Sequence, residues 1–174
     1  QGGRVAGHVW AEGTPPAPLA NVAMEVHDAA GQSVCGGSTD AAGAYTTCAL
    51  PAGSYRLRTG GMHGYVNEVY ENVPWSTVWS SGTPVAVTTG DVTPNIDFYL
   101  AEGGYVSGTV RTIAGEPLSG GFISILDSYG SVCPDVYVNP DGTYVSPAVP
   151  PGTYDVFAGG GGAYLGGQVE GVTV

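Results

Sequence analysis

Residues 40–55 read Asp40-Ala41-Ala42-Gly43-Ala44-Tyr45-Thr46-Thr47-Cys48-Ala49-Leu50-Pro51-Ala52-Gly53-Ser54-Tyr55. Residues 139–154 read Asn139-Pro140-Asp141-Gly142-Thr143-Tyr144-Val145-Ser146-Pro147-Ala148-Val149-Pro150-Pro151-Gly152-Thr153-Tyr154, nearly the same pattern of turn and strand residues 99 positions later. In each, an Asp or Asn opens a tight turn, a glycine closes it at positive φ, and a tyrosine starts the next strand. A second turn, with proline and glycine, then feeds another strand. The same offset sets Gly31 on Gly130 and Tyr65 on Tyr164.

Working outward, apolar residues alternate with polar or small ones, the period of a half-buried strand. Val5, Gly7 and Val9 form one such row, Val22, Met24 and Val26 another, and Ile123 and Ile125 take the inward places in the second copy. Tyr55 with Leu57, and Tyr154 with Val156, are expected to point inward from the strand after the second turn. Further strands are expected at residues 65–70, near 85–87 and at 95–100, and no stretch carries a 3.6-residue period. Solenoid and propeller repeats run at 20 to 50 residues, so a repeat of this length means tandem domains. The expected fold class is all-β: two tandem, small antiparallel β-sandwiches, residues 1–101 and 102–174.

Composition agrees. Thirty glycines and thirteen prolines accompany 43% hydrophobic residues and eleven tyrosines, which describes many short strands joined by tight turns rather than disorder. The formal charge is -11, and the basic residues are four arginines with no lysine. Such a chain has no basic stripe for phosphate, so nucleic acid is not an expected partner. No apolar run reaches the roughly 18 residues needed to span a bilayer. Without lysine, the Lys–Asn or Lys–Asp amides that lock some Gram-positive surface sandwiches cannot form. A secreted chain whose leader has been removed and a trimmed segment would both begin as this one does.

The string Gly104-x-Val106-Ser107-Gly108-x-Val110, followed by Gly115-x-Pro117-Leu118, Asp141-Gly142-Thr143-Tyr144 and Pro151-Gly152-Thr153-Tyr154, resembles the carboxypeptidase regulatory-like family, a transthyretin-like (prealbumin-like) sandwich. Both copies fit. The resemblance implies a non-catalytic extracellular module, of the kind found in bacterial surface and secreted proteins and appended to peptidases. It carries over no active site. The second copy ends at Val174, which the 99-residue offset sets on residues 73–75, so about 25 residues of the module have no counterpart. Two explanations are open: a longer parent protein, or completion of the sheet edge by a neighbouring molecule's strand.

If residues 40–43 are a hairpin loop, Cys35 and Cys48 stand directly opposite each other, at a Cα separation of about 4.5–5.5 Å that a disulfide can bridge. Such a bridge would stabilise a small core by roughly 3 kcal/mol and would require an oxidising compartment. Reduced thiols or a metal pair are the alternative. Cys133 falls on Val34 by the offset, a place expected to face the core beside Tyr45, so it reads as an unpaired, buried apolar residue; a partner cysteine elsewhere is the other reading.

Catalytic signatures are missing. His8, His27 and His63 stand in no metal-binding spacing, there is no nucleophile elbow or phosphate loop, and Gly159–Gly162 precedes no helix. Asp28, Asp40, Asp91, Asp97, Asp127, Asp135 and Asp141 are dispersed rather than set as an EF-hand, so no catalytic residue, metal site or cofactor is expected, though a calcium ion in a turn stays open. The candidate interaction strip is Tyr65, Tyr70, Trp75 and Trp79, which could bury against a protein partner or stack on sugar rings. The expected function is therefore a non-enzymatic structural or adhesive module, secreted or on the cell surface, building a stalk or filament through sheet-edge contacts with protein partners, copies of itself among them. Two alternatives stand beside it: an accessory pair in a secreted hydrolase, and a carbohydrate-binding module.

Overall fold

The computed structural model describes residues 2–61, 64–74, 82–160 and 166–174. The described residues form strands, turns and bends, with no helix. The chain folds as two compact units, Gln1–Glu102 and Gly103–Val174.

The first unit contains β1 (Arg4–Ala11), β2 (Ala17–Pro18), β3 (Ala23–His27), β4 (Ser33–Ser38), β5 (Ala44–Thr46), β6 (Gly53–Gly60), β7 (Glu68–Val69), β8 (Val73–Pro74), β9 (Val85–Val87), β10 (Val92–Thr93) and β11 (Phe98–Leu100). One sheet is built around β1, with β2 and β5 antiparallel to it and β10 and β11 parallel to it. The other runs β4-β3-β6-β7-β8, with β9 also on β6. Period-two alternation sends Val5 and Val9 of β1, Met24 and Val26 of β3 and Tyr55 and Leu57 of β6 into one core with Phe98 and Leu100.

The second unit contains β12 (Ser107–Thr109), β13 (Phe122–Asp127), β14 (Gly130–Ser131), β15 (Val136–Tyr137), β16 (Thr143–Val145), β17 (Thr153–Gly159) and β18 (Gly167–Thr173). β12 pairs with β16; β13 lies between β17 and the short β14 and β15, and β18 pairs with β17. Its core holds Val106, Ile123, Ile125, Val149, Tyr154 and Val156. Both units keep a tyrosine hydroxyl that donates back four residues, from Tyr55 to the Pro51 carbonyl at 3.0 Å and from Tyr154 to the Pro150 carbonyl at 2.6 Å. Each bond pins the second turn to the strand it feeds.

Four sequence expectations are corrected. Residues 40–43 do form the tight turn, with Gly43 N–H donating to the Asp40 carbonyl at 3.0 Å, but β4 and β5 are not one hairpin ladder. β4 pairs with β3 and β5 with β1, so the turn carries the chain from one sheet to the other. The Gly43 carbonyl accepts from the Val9 N–H, and a Cβ at Gly43, whose φ is +75°, would lie 2.6 Å from the Val9 carbonyl oxygen. Attachment to β1 therefore requires glycine, and Gly142 repeats the arrangement against Val110 at 2.7 Å.

Val34 does not face the core. The β3–β4 register slips between Val26↔Cys35 and His27↔Ser33, so Val34 is the extra residue of a bulge and is 43% exposed, while Cys35 turns inward. The strand expected at residues 65–70 is only Glu68–Val69 plus an isolated bridge at Tyr65, and that expected at 95–100 begins at Phe98, after Asn95 at φ +61°.

The fourth correction concerns the repeat offset. Gly152 and Val174 exchange N–H···O bonds of 3.1 and 2.9 Å, and Thr153 pairs with Thr173. In the first unit Gly53 pairs with Val87 and Ser54 with Ala86. Val174 thus holds the place of Val87, not of residues 73–75: β18 reaches that place through a shorter connection. What has no counterpart among residues 103–174 is the stretch 88–101, which carries β10 and β11.

Candidate interaction edges and the disulfide between sheets

Cys35 and Cys48 form a disulfide with a Cα separation of 6.1 Å. Cys35 belongs to β4 and Cys48 follows β5, so the bond joins the two sheets rather than neighbours on one ladder. It staples the sandwich beside the turn that crosses between its layers.

On the other side of β1 lies the strand pair that closes the unit. Val9, Trp10 and Ala11 register with Phe98, Tyr99 and Leu100 in parallel, and Arg4 and Val5 with Val92 and Thr93. Between these ladders, Ile96 N–H donates to the Ala6 carbonyl at 3.1 Å and His8 N–H to Asp97 Oδ1 at 2.7 Å; beyond them Glu12 N–H donates to the Leu100 carbonyl at 2.9 Å. Gly7 lets the strand approach, since a Cβ there would overlap the Ile96 carbonyl. The Tyr45 hydroxyl, buried, donates to that same carbonyl at 2.6 Å, and Phe98 packs its ring against Tyr45 and Tyr70. Burial raises the Tyr45 hydroxyl's pKa, with Asp97 and then Tyr70 adding to the shift, so it stays a donor at any ordinary pH.

The structure places Tyr65 and Tyr70 half-buried against the first core, so this half of the expected strip is packing within the unit. Trp75, Trp79 and His63 lie outside the described residues. His27 is mostly covered and shares Glu25 with Arg58: His27 Nε2 lies 3.2 Å and Arg58 Nη2 2.6 Å from Glu25 Oε2. Burial raises the Glu25 pKa, but the hydrogen bond and charge of Arg58, aided by His27, outweigh it and leave the carboxyl below its ordinary value. His8 stacks on Trp10 and lies 3.7 Å from Asp97. Among the described residues, no three His, Cys, Asp or Glu side chains are grouped to hold a metal.

Of two buried groups, Glu68 could not be placed from sequence, whereas Cys133 lies buried and unpaired as the repeat offset suggests. Glu68 is buried in β7 of the second sheet; its N–H donates to Thr59 Oγ1 at 2.9 Å, and its Oε2 has no partner among the described residues. Burial, with the Glu12 charge adding, lifts its carboxyl to about 7. Cys133 is a free thiol inside the second core, and burial, with Asp135 adding, pushes it up to about 11. It is a protonated, unreactive thiol at neutral pH.

The second unit repeats the β1–β5 geometry in β12–β16. Val106 N–H donates to Ser146 Oγ at 2.9 Å as Val5 N–H does to Thr47 Oγ1, and Gly108 pairs with Tyr144 as Gly7 does with Tyr45. The difference is on the opposite edge. Where β1 has β10 and β11, β12 has no strand among the described residues. Val110 and Tyr144 are only partly buried, whereas their counterparts Val9 and Tyr45 are covered. A cavity of about 150 Å³ opens at the Val110 end, lined in part by Leu118, Phe122, Val138 and Ala158.

No protein-family model and no curated protein matches this chain. Among solved structures it is similar to the Bacillus anthracis TIE protein, at 18% identity and a TM-score of 0.42, over 97% of this chain and 31% of that one. It is also similar to a streptococcal ancillary pilin, at 16% identity and a TM-score of 0.44, over 98% of this chain and 57% of the pilin. The major pilin subunit of Bacillus cereus shares 13% identity at a TM-score of 0.37, over 98% of this chain and 68% of the other. This chain thus spans about a third of the first of these and just over half of the second.

Proposed function

We propose that this chain is a non-catalytic, extracellular structural module, built of two tandem sandwiches of the carboxypeptidase regulatory-like type at residues 1–101 and 102–174. Its task is to carry tension in a stalk, filament or adhesive protein. One observation carries the reading: the first and last strands of the first unit, β1 and β11, are adjacent and parallel. Tension entering at the start of β1 and leaving at the end of β11 drives the two strands past each other in shear. Their hydrogen bonds and the Phe98 and Leu100 side chains are then loaded together instead of one at a time.

The Cys35–Cys48 bond supports the same reading, because it holds the layers together and limits how far the unit extends once β1 and β11 part. It also suits an oxidising, extracellular setting. The protein partners of such a module are reached through its sheet edges.

Single-molecule stretching of the full chain from its two ends tests this. Unit one should resist as one discrete rupture at a force well above that of peeling a strand from an edge. The disulfide locks 13 residue steps out of the extension, so reduction should lengthen the release by about 40 Å. Gradual extension at low force, unchanged by reduction, would overturn the proposal.

A further inference from the structure

We infer that the outer face of the sheet formed by β13 and β17 is a binding site for a cation, the guanidinium of an arginine that a partner protein presents. The inference goes beyond the force-bearing role of the proposed function, and it stands on the second unit alone. Three observations support it.

The first is what strand register places on that face. Ile123, Ile125 and Val156 turn into the core, so their neighbours Phe122, Ser124 and Phe157 turn out. The Phe122 and Phe157 rings lie side by side, with centroids 6.5 Å apart and planes at 52°. Glycine makes room for them: a Cβ on Gly159 would come within 2.8 Å of the Phe157 ring and 2.9 Å of the Phe122 ring. Tyr137 stands opposite Phe122 on β15 and is 83% exposed. An aromatic floor of this kind attracts a cation through the negative faces of its rings.

The second is charge. Asp135, exposed beside Ser124, accepts from its Oγ at 2.6 Å, and Asp155 stands two positions before Phe157 on β17, on the same face. Neither carboxylate forms an ion pair with an arginine among the described residues. Residues 103–174 hold six acidic side chains and one basic, Arg111, which donates to the Gly115 carbonyl at 3.0 Å. A carboxylate at the rim of an aromatic floor complements a planar, delocalised cation, which stacks on a ring and donates to the oxygens at once.

The third is that the first unit holds a guanidinium in this place. By register Glu25 faces Arg58 where Ser124 faces Phe157, and Arg58 Nη2 lies 2.6 Å from Glu25 Oε2. The chain after β9 lies along β1, in the opposite sheet, so the two faces compare like with like. Unit one thus neutralises its face from within, and unit two leaves that to a partner. The occupant is another protein rather than a second copy of this chain, because all four arginines are engaged: Arg4 donates to the Thr47 carbonyl, Arg56 to the Gly82 carbonyl, Arg58 to Glu25 and Arg111 to the Gly115 carbonyl. The chain has no lysine.

The test titrates the full chain with a capped peptide that alternates glycine and arginine, and follows amide and aromatic resonances. Saturable shifts centred on Phe122, Ser124, Tyr137 and Phe157 are expected, weakening with salt. The same peptide with citrulline, which keeps the shape of arginine and loses its charge, should give none. Asp135→Asn and Phe157→Leu should each weaken binding about three- to fivefold; should Phe157→Leu unfold, Asp135→Asn decides alone. Glu116→Gln, which removes the same charge from the turn after β12, should leave binding unchanged. No saturable shift at millimolar peptide overturns the inference, as do equal shifts with the citrulline peptide, tighter binding of the neutral sugar cellohexaose, or a Glu116→Gln loss as large as that of Asp135→Asn. Shifts at the same residues that grow with protein concentration alone would mark a second copy as the occupant and overturn it too. None of these outcomes touches the shear test on unit one, so either proposal can fail by itself.

Discussion

Glu68 shows how one side chain ties stability to pH. Its folded carboxyl titrates near 7 against 4.5 for an ordinary glutamate, so between those values the folded unit holds a proton that the unfolded chain releases. The sign follows: the stabilisation is complete below about 4.5 and is lost as pH rises through about 7. Glu68→Gln removes the charge, and thermal melts between pH 4.5 and 8 should then flatten, with the variant gaining as much as about 3 kcal/mol over the parent at pH 8. A pH profile parallel to the parent's would contradict this. Cys133, held protonated in the second core, should resist alkylation at pH 7.5 until denaturant opens unit two, as mass spectrometry of iodoacetamide-treated protein would show. At this scale the inward rows were legible, because alternation alone places Val22, Met24, Val26, Ile123 and Ile125. The misplacement of Val34 came from a bulge, and a single added residue leaves no mark in an apolar–polar pattern.

Among the elements, the turn at residues 40–43 teaches the most. Its chemistry is written in the sequence: Asp40 Oδ1 accepts from the Ala42 and Ala44 N–H groups at 2.8 and 2.9 Å, and glycine takes the positive φ. Which strands the turn joins was not written there, since a turn that closes a hairpin and one that crosses between layers use the same residues. The pairing of Cys35 with Cys48 follows from hairpin register in the sequence, yet the bond spans two sheets. Replacing both cysteines by alanine should cost about 3 kcal/mol, read as a lower urea midpoint for unit one with unit two unaffected. Equal loss in both units would contradict the division of the chain into separately packed cores. The parallel pairing of β1 with β10 and β11 also escaped the sequence, because strand direction follows from where the chain after β9 returns and not from side-chain period.

For the whole molecule, two similar units differ at one edge. In the first, the segment after β9 returns to lie along β1, covers Val9 and satisfies the Tyr45 hydroxyl. In the second, Val174 takes the place of Val87, and no strand among the described residues lies along that edge of β12. Repetition was visible in the sequence, but the fixed 99-residue offset concealed the shorter route from β17 to β18. One unit thus carries a parallel strand pair along β1 that the described residues of the other do not repeat along β12.

The direction of pulling tests the force-carrying role most directly. With the chain tethered through residues 2 and 102, β1 and β11 slide in shear; tethered through residues 40 and 102, the same pair is not drawn past each other. Tension in a stalk predicts a rupture force for the first geometry severalfold above the second. Equal forces in the two directions would contradict it.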